Sequence, residues 1–223
     1  MKPLIVANWK MNPQTLADTK KLFNSVKKRI KDTKKAEVVI CAPFVFLPIL
    51  KVKGAQDCFW EEKGAYTGEI STKMLKDLGI EYVIIGHSER RKYQKETDEM
   101  INKKIKAAIV EGLKPILCID KISQLERDLK GVSLKEFRNL IIAYEPLFAI
   151  GSGQPCPPEK AERMRILIQK KLKKRIRIVY GGSVNSQNAK EYIEKAGFQG
   201  LLPGGASLKA KEFIKIIKNV SRS

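Results

Sequence analysis

The sequence predicts an α/β protein, one domain over residues 1–223 whose eight candidate strands fit a closed (β/α)8 barrel. Three observations carry this. Short apolar runs rich in β-branched residues recur from one end of the chain to the other. Most are apolar at every position, as parallel strands are when both faces are buried. Helical periodicity fills most of the intervals. A doubly wound open sheet satisfies the same periodicity and stands as the alternative.

Leu4–Ala7 is the first strand. Thr15 is an N-cap for a helix whose apolar face is Leu16, Phe23, Val26 and Ile30. Val38–Ala42 is the second strand and Lys51–Ala55 a weaker third. Pro43–Leu50 must cross between them in less than the usual dozen or so residues. Tyr82–Ile85 is the fourth strand, and Thr97 opens a helix with Met100, Ile101, Ile105 and Ala108 inward and Gly112 at its end. Pro115–Ile119 and Leu140–Tyr144 follow as strands five and six. Pro158 suits the first turn of a helix that turns Met164, Leu167, Ile168 and Leu172 inward. Arg177–Tyr180 is the seventh strand and Gly200–Leu202 a weaker eighth. Ser186 and Ser207 are the expected caps of the last two helices, the second running through Phe213, Ile214 and Ile217.

Composition removes several classes. Apolar residues make up 43% of the chain, so wholesale disorder is excluded. The longest apolar run, Val38 to Leu50, is 13 residues and holds two prolines, short of the ~18–20 that a membrane span needs. The N-terminus has no signal-peptide pattern, and Cys41, Cys58, Cys118 and Cys156 form no CxxC pair. Reduced thiols in the cytoplasm are therefore expected. The 44 Lys+Arg against 24 Asp+Glu give a net charge of +20, which by itself suggests nucleic acid or an anionic substrate. The lysines fall mostly at helical spacing beside apolar residues, without aromatic interleaving or zinc spacing. They read as solvated helix faces, with no specific nucleic-acid site and no membrane partner.

The residues after the strands carry the chemistry. Asn8-Trp9-Lys10, Gly86-His87-Ser88-Glu89-Arg90, Glu145-Pro146, Gly181-Gly182-Ser183 and Gly204-Gly205-Ala206-Ser207 each follow one. In a barrel, strand C-termini share one face, so these segments converge. A carboxylate abstracts a carbon-bound proton, an imidazole polarises a carbonyl, and an ammonium offsets negative charge. Glycine turns before helices point N–H groups at phosphate. That set suits enolisation of a small phosphorylated sugar. Taken singly, each has a plainer reading. A lone His87 is commonly structural, Glu145-Pro146 can simply end a strand, and the glycine pairs and Gly151-Ser152-Gly153 can be turns.

Together, and in this order, the motifs are specific. To those above are added Ala143-Tyr144-Glu145-Pro146, Ala149-Ile150-Gly151-Ser152-Gly153, Tyr180-Gly181-Gly182-Ser183-Val184 and Gly64-Ala65-Tyr66-Thr67-Gly68-Glu69-Ile70-Ser71. The chain closely resembles the triosephosphate isomerase family from its first residues to its last. The resemblance implies a (β/α)8 barrel isomerase that interconverts dihydroxyacetone phosphate and D-glyceraldehyde 3-phosphate, in glycolysis and gluconeogenesis. It implies no cofactor and no metal, with a small phosphorylated triose as substrate. It assigns Glu145 as the proton shuttle, His87 as a neutral electrophile and Lys10 as the charge stabiliser. Asn8 would position substrate, and Glu89 would orient the cluster. The N–H groups of Gly151, Ser183, Gly204 and Gly205 would hold phosphate. It further implies a homo-oligomer, at least a dimer, with Thr67 entering a neighbour's pocket. The loop from Pro146 to Cys156 is expected to close as a lid. Tyr180 and Ser183 would then latch the N–H groups of Cys156 and Gly153.

The chain departs from the family pattern at Phe148, Pro155, Pro203, Asp57 and Ile119-Asp120-Lys121. Three units look trimmed: Pro43–Leu50, Cys118 to Tyr144, and Glu145 to Tyr180. The competing functions are a non-catalytic phosphate-ligand binder on the same barrel and a nucleic-acid-binding protein. The first would need no carbon base such as Glu145, and the second rests on charge alone.

Overall fold

The computed structural model describes residues 2–133 and 135–221. Its strands are β1 (Leu4–Asn8), β2 (Glu37–Cys41), β3 (Gly54–Ala55), β4 (Tyr82–Ile85), β5 (Lys114–Ile119), β6 (Ile141–Tyr144), β7 (Arg177–Gly181) and β8 (Gly200–Leu202). They are parallel and close in chain order, with β8 back against β1. This is a (β/α)8, or TIM, barrel, and the closure excludes the open sheet.

Alternation along each strand explains the unbroken apolar runs. Leu4, Val6, Val39, Cys41, Tyr82, Ile84, Ile116, Cys118, Ile141, Ala143, Val179 and Leu202 pack inside the barrel. The residues between them, such as Ile5, Ile40, Val83, Leu117 and Ile178, pack outward against helices. Neither face meets water, so neither tolerates polarity. The β1–β8 seam also demands glycine. A Cβ at Gly200 would stand 2.1 Å from the Leu4 carbonyl oxygen.

The outer layer consists of α1 (Leu16–Asp32), α2 (Leu47–Leu50), α3 (Thr72–Asp77), α4 (Ser88–Tyr93), α5 (Asp98–Val110), α6 (Ile122–Asp128), α7 (Pro158–Leu172), α8 (Ala189–Glu194) and α9 (Ala210–Ser221). Thr15 Oγ1 accepts from the Asp18 N–H at 3.1 Å, and Thr97 Oγ1 from the Met100 N–H at 3.2 Å, as caps should. The short crossover after β2 is met by a 3-10 turn over 44–46 and the single-turn α2. Between β5 and β6 only the seven-residue α6 and a 3-10 turn over 136–139 remain. The third trimmed segment nevertheless keeps a 15-residue α7. Among the described residues no helix is long and apolar enough to cross a membrane.

Several expectations need correction. Ser186 is not the cap of α8. Asn188 is the residue before that helix, and Asn185 Oδ1 caps the turn over 186–188 that leads in, accepting from the N–H groups of Gln187 and Asn188 at 2.9 and 3.1 Å. The Ser186 N–H donates instead to Glu212 on α9. Ser207 is not the cap of α9. It lies inside a 3-10 turn over 205–208, its hydroxyl donating back to the Gly204 carbonyl at 2.6 Å. Leu16 and Leu167 face solvent, 40% and 50% exposed, because their neighbours already fill the inner faces. The third strand contracts to two residues, since Lys51 turns left-handed to end α2.

Candidate active site

At the C-terminal mouth, hydrogen bonds to a neighbouring segment hold Asn8, Lys10 and Glu145. Asn8 ends β1, and its N–H donates to the Pro203 carbonyl at 3.0 Å. Pro203, unusual for the family, thus uses the one backbone polar group it has. Lys10 sits at φ 55°, a left-handed conformation unfavourable for a side chain of this kind. Two bonds hold it there. Its N–H donates to Asn8 Oδ1 at 3.0 Å, and its carbonyl accepts from Gln56 Nε2 at 2.8 Å. Gln56 also donates to the Cys41 carbonyl at 2.9 Å, fixing the segment to β2. The Lys10 ammonium then pairs with Glu89 Oε1.

His87 is the residue before α4, and its ring orientation follows from that. The Glu89 N–H donates to His87 Nδ1 at 3.2 Å. Nδ1 is therefore the acceptor nitrogen, and the ring proton lies on Nε2. Nε2 stands 3.6 Å from Glu145 Oε1, and both side chains are buried. The Glu145 N–H is bonded to the Ile119 carbonyl at 2.8 Å. Its Oε2 is buried without a protein partner. Gly181 makes the room: a Cβ there would lie 2.8 Å from Glu145 Oε1. Burial, and then the Glu145 carboxylate, push the Cys118 thiol well above its ordinary value, so it stays protonated beside Glu145.

Two cavities open here. One of about 610 Å³ is lined by Lys10, Glu89, Glu145 and Gly151 among others. A smaller one of about 300 Å³ takes in Asn8, His87 and Gln56. Lys10 and Glu89 line both. Ser183, Gly204 and Gly205 line neither, but Gly204 approaches the Lys10 stem, where a Cβ would be 3.1 Å from Lys10 Cε. The N–H groups of Gly151, Ser183, Gly204 and Gly205 donate to no protein atom among the described residues. Such free N–H groups on glycine turns are the equipment for an anion.

The segment 146–156 is drawn in by its neighbours. The Gly153 N–H donates to Ser183 Oγ at 3.1 Å, and that hydroxyl donates to the Ala149 carbonyl at 2.7 Å. The Cys156 N–H donates to Tyr180 Oη at 3.0 Å. Both expected latch bonds are therefore present. Phe148 is half exposed, with the Lys160 ammonium 5.0 Å above its ring. This contact joins the segment to α7. Thr67 is exposed on the loop and makes no hydrogen bond to this group within the chain.

Four residues to which the sequence assigns no role hold the site together: Gln56, Gly181, Cys118 and Arg91. Arg91 Nε donates to the Gly86 carbonyl at 2.8 Å, and its other nitrogens reach Asp98 at 2.7 Å and Asp128 at 2.6 Å. It pins the turn that carries His87. Burial pushes the Asp128 carboxyl up to about 7 against the pull of Arg91. Asp57, where the family usually has Asn, also gains an account. Lys104 donates to both its oxygens at 2.8 Å, while Arg90 reaches Asp57 at 2.8 Å and Glu96 at 2.6 Å. With Glu96 it balances two cations by two carboxylates. Among the described residues no group of His, Cys, Asp and Glu is arranged to hold a metal ion.

Acid–base groups beside an anion cradle, at the mouth of a (β/α)8 barrel, define an enzyme acting on a small phosphorylated substrate. The family model described as "Triosephosphate isomerase" matches residues 3–220. The triosephosphate isomerase of Alkaliphilus oremlandii is 44% identical over 246 residues, covering 97% of this chain and 98% of its own. That of Thermoanaerobacter pseudethanolicus has the same identity and coverage, and that of Lactobacillus helveticus is 41% identical over 247 residues, with 96% and 97% covered. The chain belongs to the triosephosphate isomerase family. The aligned lengths exceed its 223 residues, so these relatives carry residues that it lacks.

Proposed function

We propose that this chain interconverts dihydroxyacetone phosphate and D-glyceraldehyde 3-phosphate through an enediolate, serving glycolysis and gluconeogenesis in the cytoplasm. Glu145 removes a proton from one carbon and returns it to its neighbour, so the reaction is intramolecular and consumes nothing else. His87 Nε2–H donates to the substrate oxygens and moves the hydroxyl proton between them. Lys10 offsets the enediolate and phosphate charge, Asn8 positions the substrate, and Glu89 aims Lys10. The N–H groups of Gly151, Ser183, Gly204 and Gly205 take the phosphate. No cofactor enters the scheme.

The observation that supports this reading best is the His87–Glu145 pair. Nδ1 is occupied by the Glu89 N–H, and Nε2 faces a carboxylate 3.6 Å away. A base and a neutral donor side by side can address adjacent carbon and oxygen atoms of one substrate. A mere phosphate binder has no use for a buried carboxylate against a glycine carved to admit it. The test is Glu145→Gln in a coupled assay. It should lower kcat by at least ~10²–10⁴ with little change in KM. Near-full turnover would leave the protein a binder.

The chain works as one domain and as a homo-oligomer, a dimer first. The exposed loop over 61–69, with Tyr66 packed 4.8 Å from Phe59, supports this reading, because it presents Thr67 outward for a second copy. The lysine-rich helix faces serve solubility rather than nucleic acid.

A further inference from the structure

Tyr192 lies on α8, outside the residues given roles so far, and is buried. Its ring stacks on that of Tyr180, with centroids 3.8 Å apart and planes 15° apart. Its hydroxyl donates to the carbonyl of Cys156. The N–H of the same Cys156 donates to Tyr180 Oη at 3.0 Å. The two hydroxyls thus hold both backbone polar groups of one residue, Tyr192 the carbonyl of Cys156 and Tyr180 its N–H. The stacked rings keep the two hydroxyls side by side to do so.

We infer that Tyr192 is a positioning residue for the lid, fixing the backbone of Cys156 at the far end of the closing segment so that its N–H meets Tyr180. The inference rests on the reading of 146–156 as a lid over the substrate phosphate. Cys156 is the last residue before Pro157 and α7, so its carbonyl lies outside the intrahelical ladder. Tyr192 supplies its donor from a different element. Removal of that one hydroxyl leaves a buried carbonyl without a donor. The Cys156 backbone is then free to turn, and its N–H to leave Tyr180 Oη.

The experiment compares wild type, Tyr192→Phe, Tyr180→Phe and the double variant, each phenylalanine preserving the stacked ring. The readouts are affinity for 2-phosphoglycolate (a phosphorylated carboxylate resembling the enediolate), the fraction of turnovers lost to methylglyoxal, and the melting temperature. Tyr192→Phe should weaken 2-phosphoglycolate about tenfold and raise the methylglyoxal fraction. The penalty of Tyr192→Phe should be smaller in the Tyr180→Phe background, because both hydroxyls hold the backbone of the same residue. A lower melting temperature with unchanged inhibitor affinity and methylglyoxal would make Tyr192 a packing residue and overturn the inference. Additive losses would overturn it too. If Tyr180→Phe is itself silent, the lid reading falls along with it. If Tyr180→Phe is impaired and Tyr192→Phe is not, only the role of Tyr192 falls.

Discussion

Gly181 is the position where a single methyl group should reach the chemistry without touching substrate. A Cβ there would stand 2.8 Å from Glu145 Oε1, 2.9 Å from Cγ and 3.3 Å from Cδ. Ordinary contact starts at 3.4 Å, so in Gly181→Ala the Oε1 atom must retreat by about 0.6 Å, the gap between the two distances. Neither backbone yields easily. Gly181 is paired with Leu202 of β8, and the Glu145 N–H is bonded to Ile119. Misplacing a reacting group by 1 Å costs about 10²-fold, so a retreat of about 0.6 Å should lower kcat by about 10- to 30-fold. KM should stay within about twofold, since the phosphate donors remain. The assay is initial rates in both directions on a variant whose circular dichroism and melting match wild type. The same substitution in a Glu145→Asp background should cost less, because the shorter carboxylate no longer occupies the contested space. A folded Gly181→Ala enzyme with wild-type kcat, or an equal penalty in both backgrounds, would refute the steric reasoning.

Gln56→Leu removes both bonds that tie Lys10 to β2, each worth about 0.5–1.5 kcal/mol. Lys10 should leave its left-handed conformation and KM should rise by about tenfold, whereas an unchanged KM would show that Asn8 suffices to hold it. Pro155→Thr frees the chain just before Cys156; a looser segment costs more entropy to order. It should weaken a transition-state analogue and increase methylglyoxal, and a variant that binds as tightly and leaks no more would leave Pro155 without a functional account. Thr67→Arg places a charge on the exposed loop tip, where the proposed dimer would bury it. Sedimentation and turnover should both show dissociation and loss, and a fully active monomer, mutant or wild type, would remove oligomerisation from the mechanism.

The strands and the polar segments after them were legible because both follow from local rules. A strand buried on both faces must be apolar throughout, and a barrel gathers its strand ends. Thr15, Thr97 and Pro158 were readable for the same reason, since capping chemistry lies within three residues of its target. Ser186 and Ser207 misled because a competing acceptor stood nearby. Asn185 was already placed to cap, and the turn over 205–208 absorbed the serine hydroxyl. Gln56, Gly181 and Tyr192 could not be read, because what gives them meaning is across the fold. Gln56 bonds Lys10 from 46 positions away, and Tyr192 bonds Cys156 from 36. Nothing in the run Gly181-Gly182-Ser183 distinguishes a glycine that shapes a turn from one that clears space for a carboxylate.

The trimmed helices raise the question of how the mouth keeps its geometry when the outer layer is thin. The bonds answer it, because most of them run from strand end to strand end. The Asn8 N–H reaches the segment after β8, and the Trp9 N–H reaches Cys41 of β2 at 3.1 Å. Gln56 after β3 also reaches Cys41, and returns to Lys10 after β1. Arg91 ties the end of β4 to Cys118 of β5 at 3.3 Å, and the Glu145 N–H after β6 reaches Ile119 of β5. Each proposed catalytic residue is thus placed by the neighbouring strand's carbonyls or by a side chain that bonds them. Shortening the crossovers at Pro43–Leu50 and between β5 and β6 removes none of these bonds. The lid differs, since Tyr192 on α8 and Lys160 on α7 both touch it. The 15-residue α7 follows directly from the lid and carries its far end. The outer layer is thus thinnest where helices only cover the barrel, and its longer helix stands where the segment over the mouth needs an anchor.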